Sequence, residues 1–526
     1  MGIYVNPGNE LMQDALNSMI YVDKSLIVRE LNKIIGTRQK YVCVSRPRRF
    51  GKSMAKALLM AYYSRGCKSH RQFKNLKIAQ EPSYRKYLNK LNVIAIDCVD
   101  YTDNLFKKGE DSFVNRMTSK IIDEMIEEFP DIDFSKAKTI ADCIQLVYKK
   151  TGVKFVIIID EYDLPIRSEQ PNELFQEYLG LLLSLFKSES TGQATALAYI
   201  TGILPIVRER VESKLNNFEE YTFLKPYQYA EFTGFTEDEV KVLCEQHNIS
   251  FKDCLKWYDG YCVNGIRICN PHAIVQSISK RSFEPFWSNT GTYETIAPYI
   301  KGNYKGIKDD LIKMLSGGSV PVNITSFSNT LSDITSKDKL FTYMMHTGFL
   351  AYNSDDKTCR MPNLEVQDIW GNALENTDSF KVLGEFIKNS ERLLKATLNK
   401  DGETVANALE VLHGEVTSHL SYNHEQSLQS AIDIAYMHAK TYYRIFNEVP
   451  TGNGVADVVL VPLYPNWPAI IIELKRNSST ESALNQIHEK KYSARLDGFN
   501  GRLLFVGINY DEKKKHTCEI VEVEKV

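Results

Sequence analysis

Tyr41-Val42-Cys43-Val44-Ser45-Arg46-Pro47-Arg48-Arg49-Phe50-Gly51-Lys52-Ser53-Met54-Ala55-Lys56-Ala57-Leu58-Leu59-Met60 decides the fold of the first half of this chain. Its first four residues are an apolar run of strand length. A basic, proline-bearing loop follows, and then a stretch free of glycine and proline that reads as a helix. Gly51-Lys52-Ser53 falls where that helix starts, and unpaired N–H groups and the helix dipole favour an anion there. In a phosphate loop the lysine reaches the β and γ phosphates and the hydroxyl ligates Mg²⁺. Lys52 and Ser53 take those places, and Arg48, Arg49, Phe50 and Gly51 form the loop before them. The full pattern asks for a glycine five residues before Gly51, and that position is Arg46.

Outward from this loop, Phe155-Val156-Ile157-Ile158-Ile159-Asp160-Glu161 is an unbroken apolar run ending in two acids. A run without alternation fits a parallel strand buried on both faces. Asp160 is expected to hold Mg²⁺, and Glu161 to orient or polarise the attacking water. Val93–Asp97 and Ala196–Ile200 supply further strands, the latter ending at Thr201-Gly202. Strands alternating with helices imply an α/β sheet covered on both faces.

Near the other end, Val458-Val459-Leu460-Val461 and Ala469-Ile470-Ile471-Ile472 flank a proline-studded break, Pro462 to Pro468. This reads as a β-hairpin. Pro465 is equidistant from Asp457 and Glu473, so a simple antiparallel register sets those two acids opposite each other. Alternation puts Lys475 on the same face as Glu473. Two acids and a lysine at one hairpin end can bind Mg²⁺ through oxygen. Such a metal activates water against a phosphodiester, and the lysine holds that water or offsets developing charge.

Composition sets limits. At 526 residues the chain has room for two to four domains. Its 43% hydrophobic and 25% charged content is ordinary for a globular protein. A net charge of −2 means that any nucleic-acid surface is a local patch. No apolar run reaches the roughly 18 residues that span a membrane. The N-terminus lacks a signal-peptide pattern, and the ten scattered cysteines suit reduced thiols inside a cell.

A family resemblance rests on motifs that recur in order: Tyr21-Val22-Asp23-Lys24, Arg46-Pro47-Arg48-Arg49-Phe50-Gly51-Lys52-Ser53, Ile159-Asp160-Glu161-Tyr162-Asp163 and Leu215-Asn216-Asn217-Phe218. Gly234-Phe235-Thr236-Glu237-Asp238-Glu239-Val240, Trp257-Tyr258-Asp259-Gly260-Tyr261, Asn270-Pro271 and Trp287-Ser288-Asn289-Thr290 continue the series. Together they resemble the AAA-ATPase-like family, whose members often carry a C-terminal PD-(D/E)xK nuclease domain. The hairpin resembles that nuclease core, although Ala456 stands where a proline usually precedes the aspartate.

The resemblance implies an AAA-like P-loop ATPase with a parallel sheet over 1–230 and a helical lid over 231–375, for which a winged-helix arrangement is one option. It implies a restriction-endonuclease-like α/β domain over 376–526. It gives Thr201 the part of a γ-phosphate sensor and Gln486 that of a helix glutamine supporting the metal site or the scissile strand. It calls for one more acid on a helix before the first nuclease strand, with Glu425 the candidate and Glu448 the alternative. Metal ligands are then Ser53 and Asp160 in one site, and Glu425, Asp457 and Glu473 in the other. The implied cofactors are ATP and Mg²⁺, with Mn²⁺ also suited to the nuclease site. The implied partner is nucleic acid, with DNA ahead of RNA, in the cytoplasm or, in a eukaryote, the nucleus. An oligomer fits this class as well. A rival reading is an ATP-dependent signalling or recruitment switch whose nuclease fold binds without cutting.

Overall fold

The computed structural model describes residues 2–168, 171–206, 215–287, 306–327, 334–375, 381–419, 424–451, 454–464, 467–489, 501–511 and 515–523. The chain divides into two compact units. One comprises Met1–Phe286 and Pro321–Pro362, the other Trp287–Val320 and Asn363–Val526.

The first unit is built on β1 (Tyr41–Ser45), β2 (Asn92–Asp97), β3 (Phe155–Asp160), β4 (Thr195–Gly202) and β5 (Glu219–Tyr221). They form one sheet in the order β2-β3-β4-β1-β5, with every neighbouring pair parallel. The unbroken apolar run of β3 has the cause anticipated from its sequence. Phe155, Ile157 and Ile159 enter one core cluster, and Val156 and Ile158 enter the cluster on the opposite face. Helices Phe113–Glu128, Ile140–Thr151 and Asn172–Phe186 supply the first cluster, and helix Lys52–Tyr63 the second. Register sets Asp97 beside Asp160 and Asp160 beside Thr201 at the carboxyl ends of β2, β3 and β4. That edge is where open α/β sheets place their ligands.

After the sheet, β6 (Phe235–Thr236), β7 (Tyr261–Val263) and β8 (Ile266–Cys269) make a small antiparallel sheet in the order β6-β8-β7. Asn264 and Gly265 both have positive φ, as a two-residue hairpin turn requires. Helix Glu237–His247 opens with the capping box read from Thr236 and Glu239. A two-residue strand β9 (Val320–Pro321) precedes a short hairpin of β10 (Ala351–Asn353) and β11 (Thr358–Arg360).

The second unit holds β12 (Tyr443–Thr451), β13 (Gly454–Pro462), β14 (Ala469–Arg476), β15 (Leu503–Tyr510) and β16 (His516–Val523), in chain order across one mixed sheet. The pairs are antiparallel except β14 with β15. Helix Thr480–Glu489 lies between those two strands in the chain, as a parallel crossover needs. Its Leu484 and Ile487 pack on Val459, Ala469, Ile471, Leu503 and Phe505. Among the described residues no disulfide is present, and no helix is long and apolar enough to cross a membrane.

Candidate active sites

In the first unit the chain turns from β1 into helix Lys52–Tyr63 through the basic loop. Gly51, at the helix N-cap, has φ +88°. No heavy atom lies within 4 Å of where its Cβ would stand, so backbone conformation alone calls for glycine. Lys52 is buried, with Nζ 3.2 Å from the carbonyl oxygens of both Arg46 and Pro47 and 3.3 Å from Glu161 Oε1. Ser53 Oγ donates to Asp160 Oδ2 at 2.8 Å. Lys56, one helical turn beyond Lys52, lies 2.5 Å from Asp97 and 3.6 Å from Asp160.

Electrostatics separate the two acids at the tip of β3. Burial pushes the Asp160 carboxyl above its ordinary range, against the pull of Lys56, Lys52 and the Ser53 hydroxyl. Burial pushes Glu161 upward too, but Lys52 and Arg167 outweigh it and hold the group below the ordinary range. An Arg167 terminal nitrogen lies 2.7 Å from Glu161 Oε2. Asp163 is fully buried and accepts hydrogen bonds from the Ile203 and Leu204 N–H groups, tying the chain after β3 to the chain after β4. Ser53 and Asp160 are hard oxygen donors held side by side at a helix start, so the residues present fit Mg²⁺ with a polyphosphate.

Other residues singled out in the sequence take different places. Arg46 is fully buried and donates to Thr233 Oγ1 at 2.7 Å, to the Ser45 and Tyr221 carbonyls at 2.8 Å and to the Tyr229 carbonyl at 3.1 Å. Burial pushes its pKa down to about 10. It staples the loop to the chain around 221–233. The Phe50 ring turns into the interior against Phe223 and Tyr261, at centroid distances of 5.3 and 5.6 Å. That ring anchors the loop, and only the Phe50 backbone is left in it. Arg49 donates to the Phe286 carbonyl at 3.1 Å, and Arg48 is half-buried. The Thr201 hydroxyl is buried and donates to the Val44 carbonyl at 2.8 Å, joining β4 to β1. Sequence reasoning passed over Arg167, Lys56 and Asp97. Lys56 carried a signal, being four residues from Lys52 on one helix face.

In the second unit Glu473 is 1% exposed, and Lys475 Nζ lies 3.2 Å from its Oε1. The observed hairpin pairs Val458 with Ile472, Val459 with Ile471 and Leu460 with Ile470, which is the register centred on Pro465. Positions 457 and 473 are the next step of that register. On the other side, Asn447 pairs with Val458 and Val449 with Ala456, so positions 448 and 457 lie between those pairs. Glu425 is in helix His424–Ala435. The side chains of Glu425, Glu448 and Asp457 lie outside the described residues. Gln486 is half-buried on helix Thr480–Glu489, which packs on the sheet face carrying Ile471. By alternation Glu473 shares that face. Its β15 neighbour is Gly507. A Cβ on Gly507 would come within 2.8 Å of the Thr480 carbonyl and 3.1 Å of Leu484, so glycine lets the helix approach beside Glu473. Among the described residues no group of three His, Cys, Asp or Glu side chains forms a metal site. The described part offers one buried carboxylate beside a lysine, and the other expected ligand side chains lie outside it.

Comparison with known proteins follows this division. Residues 12–212 match the family model described as a predicted AAA-ATPase, AAA-ATPase-like. Residues 423–520 match that of the PD-(D/E)XK nuclease superfamily. The chain is 22% identical over 276 residues to an uncharacterized protein in the vnfD 5′ region of Azotobacter chroococcum mcd 1. That match covers 52% of this chain and 51% of the relative, so the chain spans about half the length of the curated relative it matches. Among solved structures, the Aeropyrum pernix ORC2 protein in its ADPNP–ADP complexes aligns with a TM-score of 0.32 at 11% identity, over 68% of this chain and 96% of that one.

Proposed function

Because the chain belongs to the proteins that join an AAA-ATPase-like domain to a PD-(D/E)XK nuclease superfamily domain, we propose that it hydrolyses ATP and, under that control, cuts nucleic acid, DNA in the first instance. The observation that carries the ATPase half is the convergence of Lys52, Ser53, Asp160 and Glu161 at one sheet edge. Ser53 and Asp160 would hold Mg²⁺, which supplies charge neutralisation for the phosphates. The loop from Arg48 to Gly51 and the helix N-terminus would cradle those phosphates, with Lys52 reaching the terminal ones. Glu161 takes a proton from water as the water oxygen bonds to the γ phosphorus. The bridging P–O bond breaks, and ADP departs with its electrons.

For the nuclease half, Asp457 and Glu473 would hold Mg²⁺ or Mn²⁺, which lowers the pKa of a bound water. Lys475, held beside Glu473, offsets charge developing on the scissile phosphate. Of the two candidates for a further acid, Glu448 shares the strand register of Asp457, and we take it ahead of Glu425. Gln486 supports the site from the helix that packs on the Glu473 face. We keep 1–230, 231–375 and 376–526 as the proposed ATPase core, lid and nuclease domain, although Trp287–Val320 and 363–375 of the lid range fall in the second compact unit, and we propose an intracellular setting.

The test is a cleavage assay on linear, circular and single-stranded DNA and on RNA, with Mg²⁺ or Mn²⁺ and with or without ATP. Scission absent in Lys475→Ala and altered in Lys52→Ala supports the proposal. ATP hydrolysis without scission of any substrate would sink the nuclease half and leave an ATP-driven switch, the reading that Ala456 at the proline position favours.

A further inference from the structure

Glu161 is held by two cations, one on each oxygen. Lys52 Nζ lies 3.3 Å from Oε1, and an Arg167 terminal nitrogen lies 2.7 Å from Oε2. The two holds differ in what else competes for them. Lys52 starts the helix behind the phosphate loop and would be drawn to an arriving polyphosphate. Arg167 closes the short helix Leu164–Arg167, and its main-chain N–H donates to the Asp163 carbonyl at 2.8 Å. Its Nε lies 3.5 Å from Asp163 Oδ2 and makes no hydrogen bond among the described residues. Asp163 is itself fixed by two main-chain N–H groups after β4. Arg167 therefore reaches Glu161 from a frame locked to the sheet.

We propose that Arg167 is a positioning residue of the hydrolysis site: it keeps Glu161 Oε2 when Lys52 leaves Oε1 for the phosphates, so that Oε1 is the oxygen that takes the proton. This rests on the ATPase reading above. The proton passes from water to Oε1, the water oxygen forms the new bond to the γ phosphorus, and the electrons of the broken P–O bond leave on ADP. Arg167 exchanges no proton.

The experiment measures kcat and KM for ATP hydrolysis by the full chain, together with binding of a fluorescent ATP analogue. It compares wild type with Arg167→Gln, Arg167→Lys, Glu161→Gln, Lys52→Ala and the Arg167→Gln/Glu161→Gln double variant. In Arg167→Gln, analogue binding is expected to stay within about twofold while kcat falls about tenfold to a hundredfold. Arg167→Lys recovers most of the rate. The double variant is no slower than Glu161→Gln alone, because the two act as one unit. Weakened analogue binding at unchanged kcat, or additive losses in the double variant, would overturn the proposal. Wild type and Lys52→Ala alike in binding no analogue and hydrolysing no ATP is a different result: it removes the ATPase reading itself, and the role of Arg167 with it.

Discussion

Ser53 Oγ donates to Asp160 Oδ2 at 2.8 Å, joining the first turn of helix Lys52–Tyr63 to the tip of β3 across 107 residues of chain. The bond closes a site whose two halves are separated in sequence, and it sits on a carboxyl whose pKa burial raises above the ordinary range.

Asp160→Asn tests what that carboxyl costs. Burial raises its pKa in the folded chain above the unfolded value. A carboxyl so raised loses stability as pH climbs from the unfolded value through the folded one, so at pH 7 the charge works against folding. The neutral amide is expected to raise unfolding stability by about 1 kcal/mol while ATP hydrolysis is lost. Denaturant unfolding at pH 7 beside a phosphate-release assay checks both halves, and a variant no more stable than wild type refutes the first.

Arg46→Gly restores the residue that the phosphate-loop pattern asks for, and we expect it to do harm. It leaves the Tyr221 and Tyr229 carbonyls and the Thr233 hydroxyl without their buried guanidinium. Each hydrogen bond to a charged donor is worth about 1.5–3 kcal/mol, so a loss of about 3 kcal/mol or more is expected. A chevron or an equilibrium urea curve measures it.

Glu473→Gln and Lys475→Ala should each lower nucleic-acid cleavage by about a hundredfold or more. Lys475 is 23% exposed in its side chain, so its loss is expected to move the melting temperature little. Cleavage at the wild-type rate by either folded variant would place the chemistry elsewhere.

Gly507→Ala probes the approach of helix Thr480–Glu489 to the sheet. The added methyl would meet the Thr480 carbonyl at 2.8 Å, and main chain there gives way only by moving the helix. Overpacking of this kind costs about 1–3 kcal/mol. Slower cleavage should accompany the lost stability, because Glu473 is the β14 neighbour of Gly507.

Much of this architecture is legible in the chain because single physical constraints write it there. Phe155–Ile159 has no polar residue because both faces of β3 are covered. The hairpin register follows from the apolar pattern of its two strands, since a slip by one residue would turn Val459 and Ile471 out of their cluster. The strand order β2-β3-β4-β1-β5 has no comparable local cause. Arg46 reads as a missing glycine because a pattern compares residue types, whereas its role depends on acceptors about 175 to 187 positions away. Phe50 and Thr201 sit in a motif and at a strand tip, yet their side chains are engaged by Tyr261 and Val44. Arg167 belongs to no motif, and only the turn after β3 brings it back onto Glu161.

The two units are interleaved along the chain, since Pro321–Pro362 rejoins the first after Trp287–Val320 has entered the second. The Tyr261 hydroxyl donates to the Gly348 carbonyl at 2.6 Å, an acceptor translated 87 residues later. On the ribosome the first unit therefore waits for its last hairpin until a piece of the second has already emerged. Neither unit can mature in simple N-to-C order, and a truncation at Phe286 would release a nucleotide-site unit lacking the segment that finishes it.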